Sequence, residues 1–443
     1  MSTTNLWLSV ALTLLFTLGG CAENEKTALA ECDRERCSQR CRDLAGPECD
    51  VLQASCQKRI FDAVSCVRGA GGKRPQIRTL TEDEVRDENA QDGRVDGGTS
   101  VENDGGVSET ADGPMQPAFH WDVALRLLGL RVPQSSTDST DYAGGYYDAV
   151  HKRITLIDRG QPQDSVSAQK LLAHELVHAL QDQHMGSAEG WRSSGRSTDA
   201  QLAHGCLTEG EGDLYEELAS TLLQGLTIDR TYLDVNLTHH LKQSRDNVLR
   251  ADSPYDQLWL LRYAVGHRYL FDAWLEGGNW AVQSLYEAPP KSTIYWMRGF
   301  AESQTRRQPL TGPLACRMAV LPKGYERQWG DTMGAFTLFA FLGHNLVKDG
   351  VYPSEVSWRR ALAWSQDYLE IFAGPEGETA VSWRVRFAEA DTASEVADEL
   401  RANKQLALHV KEHGEEIEIF SSDSKQAMQA FRGTDPRRCP TED

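Results

Sequence analysis

Apolar residues recur three and four positions apart over several long stretches of this chain, whereas strict alternation with polar residues is confined to short ones. In the stretch from about residue 167 to 183, Leu172, Leu176 and Ala179 form one apolar stripe, the signature of a helix with one face in a core. Asp164 or Ser165 stands where such a helix needs an N-terminal cap. The same periodicity predicts helices over Trp121–Leu130 and over residues 196–226, 255–276, 331–346, 353–363 and 391–401. Strand character is concentrated in Arg153–Ile157, which follows Gly145-Tyr146-Tyr147-Asp148, and the signal elsewhere is too thin to predict a large sheet. The expected class is therefore α+β and predominantly helical.

Upstream of residue 118 the pattern changes three times. Residues Leu6 to Leu18 are largely apolar but too few for a comfortable membrane span, and they end in Leu18-Gly19-Gly20-Cys21, which resembles the bacterial lipobox. That resemblance implies a signal peptide over residues 1–20, lipidation of Cys21 and a place in the cell envelope. Ala22 after the cysteine implies the outer membrane of a Gram-negative bacterium. Residues 21–69 then hold Cys32, Cys37, Cys41, Cys49, Cys56 and Cys66, a dense, even set that reads as a disulfide framework in an exported chain. Helical patterning over residues 28–44 and 50–67, broken at Gly46-Pro47, suggests a stapled hairpin. Nested bridges Cys41–Cys49, Cys37–Cys56 and Cys32–Cys66 are one of the connectivities such a set allows. Residues 70–117 lose their apolar side chains and gain acidic and small ones, the composition of a flexible linker. Residues 118–443 form the main domain.

Charge narrows the partners. With 443 residues and a formal net charge of −19, the chain has no clustered Lys and Arg to neutralise phosphates, which argues against nucleic acid.

Chemistry is concentrated in His174-Glu175-Leu176-Val177-His178. On a helix the two imidazoles stand one turn apart on one face, and a carboxylate lies beside the first, which is the arrangement of a zinc site with its own general base. A catalytic zinc takes three protein ligands, and the third is expected from Leu207-Thr208-Glu209-Gly210-Glu211-Gly212-Asp213. Glu209 and Asp213 share a helix face, so Glu209 would bind the metal with Asp213 one turn behind it to orient a histidine. Glu211 is the rival ligand. Asp182, one turn beyond His178, is a second carboxylate that could serve the histidines. Gly210 and Gly212 would permit close approach to the helix of His174. An oxyanion would need one further donor, with Tyr215, Tyr263 and His267 as candidates, and the Arg153–Ile157 strand could pair with an extended substrate. His184, His204, His239 and His240 read as surface or packing residues.

These residues resemble the gluzincin group of zinc metallopeptidases, in which a His-Glu-x-x-His helix is followed by a Glu-x-x-x-Asp segment that supplies the third ligand. The longer run His174 to Gln183, with Gly145-Tyr146-Tyr147-Asp148 before it and Thr208-Glu209-Gly210-Glu211-Gly212 after it, is similar to a family of uncharacterised bacterial and archaeal metallopeptidase-like proteins. Tyr263-Ala264-Val265-Gly266, Gly277-Gly278-Asn279-Trp280, Pro289-Pro290-Lys291-Ser292-Thr293 and Trp364-Ser365-Gln366-Asp367-Tyr368 extend the likeness. The resemblance implies a zincin-like domain, one Zn2+ per chain and hydrolysis of protein or peptide substrates with Glu175 as general base. A zinc-binding scaffold or partner-binding module on the cell envelope, without catalysis, is the alternative.

Overall fold

The computed structural model describes residues 41–91, 117–130, 144–160, 164–185, 197–228, several positions between 235 and 251, and residues 253–301, 321–345, 355–403 and 406–432. The 1–20 signal segment, Cys21, Cys32, Cys37 and residues 92–116 of the expected linker lie outside the described residues. The described part is a predominantly helical α+β fold with a disulfide-stabilised N-terminal region.

Three helices carry the candidate site. Helix α4 (Ser165–Met185) begins where Asp164 accepts hydrogen bonds from Ser167 N and Oγ, so Asp164 and not Ser165 is the cap. Helix α5 (Thr198–Leu223) is capped by Ser197, which accepts from Ala200 N. Helix α6 (Pro254–Glu287) starts at Ser253, with Pro254 in the first turn where a missing N–H costs nothing. It kinks at Gly278, whose left-handed φ of 62° ends the regular helix close to the predicted stop at residue 276.

The crossing of α5 and α6 depends on missing side chains. A Cβ on Gly210 would fall 2.6 Å from the Gly266 carbonyl oxygen, and one on Gly266 would meet the backbone of Cys206. Two backbones therefore touch, which brings the side chains of α6 within reach of those on α5.

Ahead of these helices, α1 (Ala54–Arg68) packs on α4 and α5. Cys41, Cys56, Ile60, Val64 and Val67 are buried in the same core as Leu172, Leu176 and Leu214, so α1 shares a core with the main helices where a self-contained hairpin was expected. Each such fully buried aliphatic side chain contributes about 1.5–3 kcal/mol. The bridges are Cys41–Cys66 and Cys49–Cys56. This corrects the expected Cys41–Cys49, Cys37–Cys56 and Cys32–Cys66 pairs. Residues 42–44 form only a 3-10 turn, so the chain doubles back before Cys49 and lays Cys41 beside the far end of α1.

Residues read as linker also fold. Strand β1 (Gln76–Thr81) and helix α2 (Glu82–Gln91) arise within the expected 70–117 linker. Strand β1 lies parallel to β3 (Arg153–Asp158), and β2 (Gly145–Asp148) is antiparallel on its other side, giving the order β1-β3-β2. Because β3 is central, its backbone has no free edge, and the expectation that Arg153–Ile157 pairs with substrate is corrected: among the described residues the outer strands are β1 and β2.

A larger sheet was not anticipated. Strands β4 (Glu326–Asp331), β5 (Trp364–Ala373), β6 (Thr379–Phe387), β7 (His409–His413) and β8 (Glu416–Ser422) form an antiparallel sheet in the order β4-β5-β6-β8-β7. One face presents Leu369, Ile371, Val381, Trp383, Val385, Ile417 and Ile419 to the core, where Trp383 meets Phe341 of a helix α8 (Gly334–Asn345) edge to face. Between α6 and β4 runs α7 (Thr293–Ala301), whose first residue donates from Thr293 N and Oγ1 to the buried Asp199 at the start of α5. The Pro289–Thr293 segment is thus a structural staple. Further helices are α3 (Pro117–Leu127), α9 (Glu355–Leu362), α10 (Ala390–Ala402) and α11 (Lys425–Arg432). Among the described residues no helix is long and apolar enough to cross a membrane.

Candidate metal centre

Helices α4 and α5 lie side by side and bring His174, His178 and Glu209 together. One carboxylate oxygen of Glu209 lies 3.3 Å from His174 Nε2 and 3.4 Å from His178 Nε2. Ligand atoms of the three residues all fall within 4.8 Å of one another, so the set could hold a metal ion. A second set, His174, Asp213 and Glu216, shares the first histidine through its other nitrogen.

Those separations carry information. A charge-assisted hydrogen bond closes to about 2.7–2.9 Å. Two donor atoms that share a tetrahedral ion at bond lengths of about 2.0–2.1 Å are roughly 3.3–3.4 Å apart. The Glu209 spacings, of which the His174 one is also within hydrogen-bond reach, are compatible with the second case, and so are those of His174 Nδ1 to Asp213 and Glu216.

Each histidine is oriented from behind. His174 Nδ1 faces Asp213 at 3.3 Å and Glu216 at 3.4 Å, and His267 stands beyond Asp213 at 3.8 Å. His178 Nδ1 is 2.9 Å from Gln181 Oε1, and the Gln181 amide donates to Thr208 O and Glu211 Oε2, both at 2.9 Å. Because the amide nitrogen is committed to two acceptors, its oxygen must face the ring, and the ring must donate from Nδ1. In the neutral ring that leaves the lone pair on Nε2, toward Glu209. Glu211 is itself held by Arg68 of α1 at 2.8 Å and by the Tyr286 hydroxyl. An unbroken line of contacts therefore runs from the disulfide-stapled α1 through Glu211 and Gln181 to His178.

Gly212 explains how His174 fits. A Cβ there would lie 2.5 Å from its Cε1, 2.8 Å from Nε2 and 3.0 Å from Nδ1, so the imidazole lies flat on the backbone of α5. Tyr263 stacks on the ring's other side, with centroids 5.9 Å apart.

Electrostatically the centre has a surplus of acid. Burial would lower the pKa of His174, but its contacts with Asp213, Glu209 and Glu216 outweigh burial and hold it well above the usual histidine range. His178 is pushed up to about 9, burial again being overcome by Glu209. Burial raises Glu209, yet the two imidazoles and Arg262 bring it well below the usual carboxylate range. Glu175, 6 % exposed beside both histidines, is raised because burial exceeds their attraction. A cation at this point would take the place of the imidazolium protons and meet carboxylate oxygen and imidazole nitrogen, a donor set that suits zinc.

No protein-family model, curated protein or solved structure matches the chain. The reading of the site therefore rests on its own geometry.

Other sequence-nominated residues fall elsewhere. Asp182 accepts from Tyr147 Oη at 2.7 Å and Lys152 Nζ at 2.6 Å, so it ties the β2–β3 hairpin to α4 and serves neither histidine. Glu211 points away from the His174–His178 side, into the pair with Arg68. Tyr215 is fully buried, and its hydroxyl donates to Asn279 Oδ1 on the opposite face of α5. His267 lies behind Asp213 rather than over the open side of the site. Of the three nominated donors only Tyr263 borders the ligand cluster. Two partners were not assigned from sequence, Gln181 and Glu216. Gln181 follows His178 by three and Glu216 follows Asp213 by three, the spacing that puts neighbours on one helix face, and that spacing was the available signal.

Proposed function

We propose that this protein is a zinc-dependent hydrolase of peptide bonds, with His174, His178 and Glu209 as ligands and Glu175 as general base. The observation that carries the reading is the convergence of two oriented imidazoles and one carboxylate at ligand spacing with a buried carboxyl beside them. The set on the other side of His174 is the weaker candidate. A neutral imidazole has one lone pair, and only the Glu209 side offers a second oriented histidine.

The chemistry that a bound zinc supplies is Lewis acidity toward water and toward a scissile carbonyl. Glu175 takes the proton of the attacking water and returns it to the leaving nitrogen, which releases the amine as a neutral group. Burial suits Glu175 to both steps, because a carboxyl with a raised pKa holds a proton more readily at neutral pH. Asp213 and Glu216 face His174 Nδ1 and Gln181 accepts from His178 Nδ1, which turns both Nε2 atoms toward the metal side. Tyr263, whose ring stacks on His174, is the proposed donor to the developing oxyanion. Protein or peptide outside the cytoplasm is the proposed substrate class, reached from a membrane through lipidated Cys21, an idea that rests on the N-terminal sequence alone.

Purified protein is expected to hold about one zinc per chain by atomic spectroscopy, and His178→Ala to hold none. Glu175→Gln should keep zinc and fold while hydrolysis of a mixed peptide library falls by about 10²–10⁴-fold. Stoichiometric zinc in His178→Ala would remove the site. Zinc-dependent capture of partners by a wild-type protein that cleaves nothing would favour the scaffold reading instead.

A further inference from the structure

Four arginines are buried among the described residues, Arg68, Arg262, Arg360 and Arg384. Three face carboxylates: Arg68 pairs with Glu211, Arg360 with Glu399 and Arg384 with Glu370. Arg262 is the exception. Although only 9 % exposed, it donates no hydrogen bond and makes no ion pair among the described residues, and its Nε is buried without a partner. Its charge meets the face of Trp259, with Cζ 5.8 Å from the ring centroid. A buried guanidinium whose N–H groups lack a hydrogen-bonded anion is costly and persists where something else supplies that anion.

Its position says what that anion would accompany. The side chain crosses α5 at Gly205, where a Cβ would stand 2.5 Å from Arg262 Cδ and 3.2 Å from Nη1, so the helix leaves out a side chain to admit it. Gly205 is one turn before Glu209 on the same helix face. One turn rises about 5.4 Å, little more than the ~3.8 Å between consecutive Cα atoms, so the guanidinium lies about one residue of a bound peptide from the metal ligands. Next to it on α6, Tyr263 stacks on His174 and packs against Trp259 at 4.7 Å, forming a continuous aromatic and cationic wall. Glu209 attracts Arg262 through space but makes no hydrogen bond or ion-pair contact with it, because the contacts of its carboxylate are with the two imidazoles.

We infer that Arg262 is a specificity-determining residue that binds a substrate carboxylate adjacent to the scissile bond. The inference rests on the hydrolase reading above. A guanidinium presents paired N–H donors that match a carboxylate, and the partly dry setting strengthens the pair. Two sources offer that chemistry: the free C-terminus of a peptide, and an Asp or Glu side chain beside the cleaved bond.

The test uses N-acetylated pentapeptides made as free acids and as C-terminal amides, with amide members carrying Glu or Gln at each position in turn. Calorimetric binding to zinc-loaded Glu175→Gln is compared with cleavage by the wild type. Carboxylate-bearing members should bind at least tenfold tighter and show at least tenfold higher kcat/KM. Adding Arg262→Met should erase both ratios at unchanged zinc content, and Arg262→Lys should restore part of them. Preference for free acids identifies the C-terminus as the ligand, and preference for Glu among the amides identifies the side chain. Equal binding of all members to the Glu175→Gln protein, or a preference that survives Arg262→Met, overturns the inference. Zinc loss from Arg262→Met and Arg262→Lys with the ratios intact would make Arg262 a support for Glu209 instead. A wild type that binds the carboxylate members selectively yet cleaves none overturns the hydrolase reading alone.

Discussion

Two regions of this molecule bury clusters of charge, and they do so in opposite ways. In the five-stranded sheet, Glu370 pairs with Arg327 at 2.5 Å and faces Arg384 at 3.8 Å, while Arg384 stands opposite Glu418 in register. With Lys411 of β7 opposite Glu418, three cations and two acids alternate across neighbouring strands of the sheet. Between α4 and α5, by contrast, Glu175, Glu209, Asp213 and Glu216 crowd around two histidines, and ligand atoms of His174, His178 and Glu209 point at one spot. The first arrangement interleaves opposite charges, and the second carries an excess of acid that a cation could balance. Burial of charge is therefore a poor guide to function, whereas convergence of lone pairs with an excess of acid is a good one.

Substitutions can break that contrast. The largest effect on stability is expected from Arg68→Met, which strands Glu211 without its buried counter-charge and should cost about 3–5 kcal/mol in chemical denaturation. Because Glu211 also holds Gln181, zinc affinity should fall with it; unchanged zinc affinity would mean that α1 and the metal centre are energetically separate. A narrower effect is expected from Gln181→Leu, which removes only the acceptor behind His178. Competition with a chelator should show zinc affinity reduced by about 10–100-fold.

The smallest effect sharpens the other half of the comparison. Burial pushes Glu418 up to about 7 against the attraction of Arg384 and Lys411. A carboxyl whose folded pKa is raised contributes stability below its unfolded value of about 4.5 and loses it as pH rises through about 7. Glu418→Gln should therefore gain stability relative to wild type between pH 5 and pH 8, on the order of 1–3 kcal/mol. A flat difference across that range would place the compensating charge closer to Glu418 than the sheet register suggests.

Much of the helical half was legible from residue spacing. The i, i+4 placement of His174 and His178, and of Glu209 and Asp213, follows from helix geometry alone, as does a helix start at Asp164 or Ser165. The larger sheet was missed for a physical reason: Glu370, Ser382, Arg384 and Glu418 are buried on its second face, so alternation that normally separates core from solvent instead separates apolar core from a buried charge cluster. Strand β1 was hidden by its neighbourhood, since six residues inside an acidic stretch become a strand only when β3 offers its parallel edge.

By itself the sequence determined that a predominantly helical domain would carry two histidines one turn apart on one helix and Glu209 and Asp213 one turn apart on another, because periodicity within one helix is a local property. Tertiary structure alone decided which side of His174 meets Glu209, which carboxylates stand behind the rings, which cysteines pair, and that Arg262 is buried beside the ligands without a carboxylate of its own. Those outcomes depend on where α5 crosses α4 and α6, and that crossing is set by the absence of a Cβ at Gly210, Gly212 and Gly266. A glycine in the chain signals only permission for close approach. What approaches it is settled when distant helices pack.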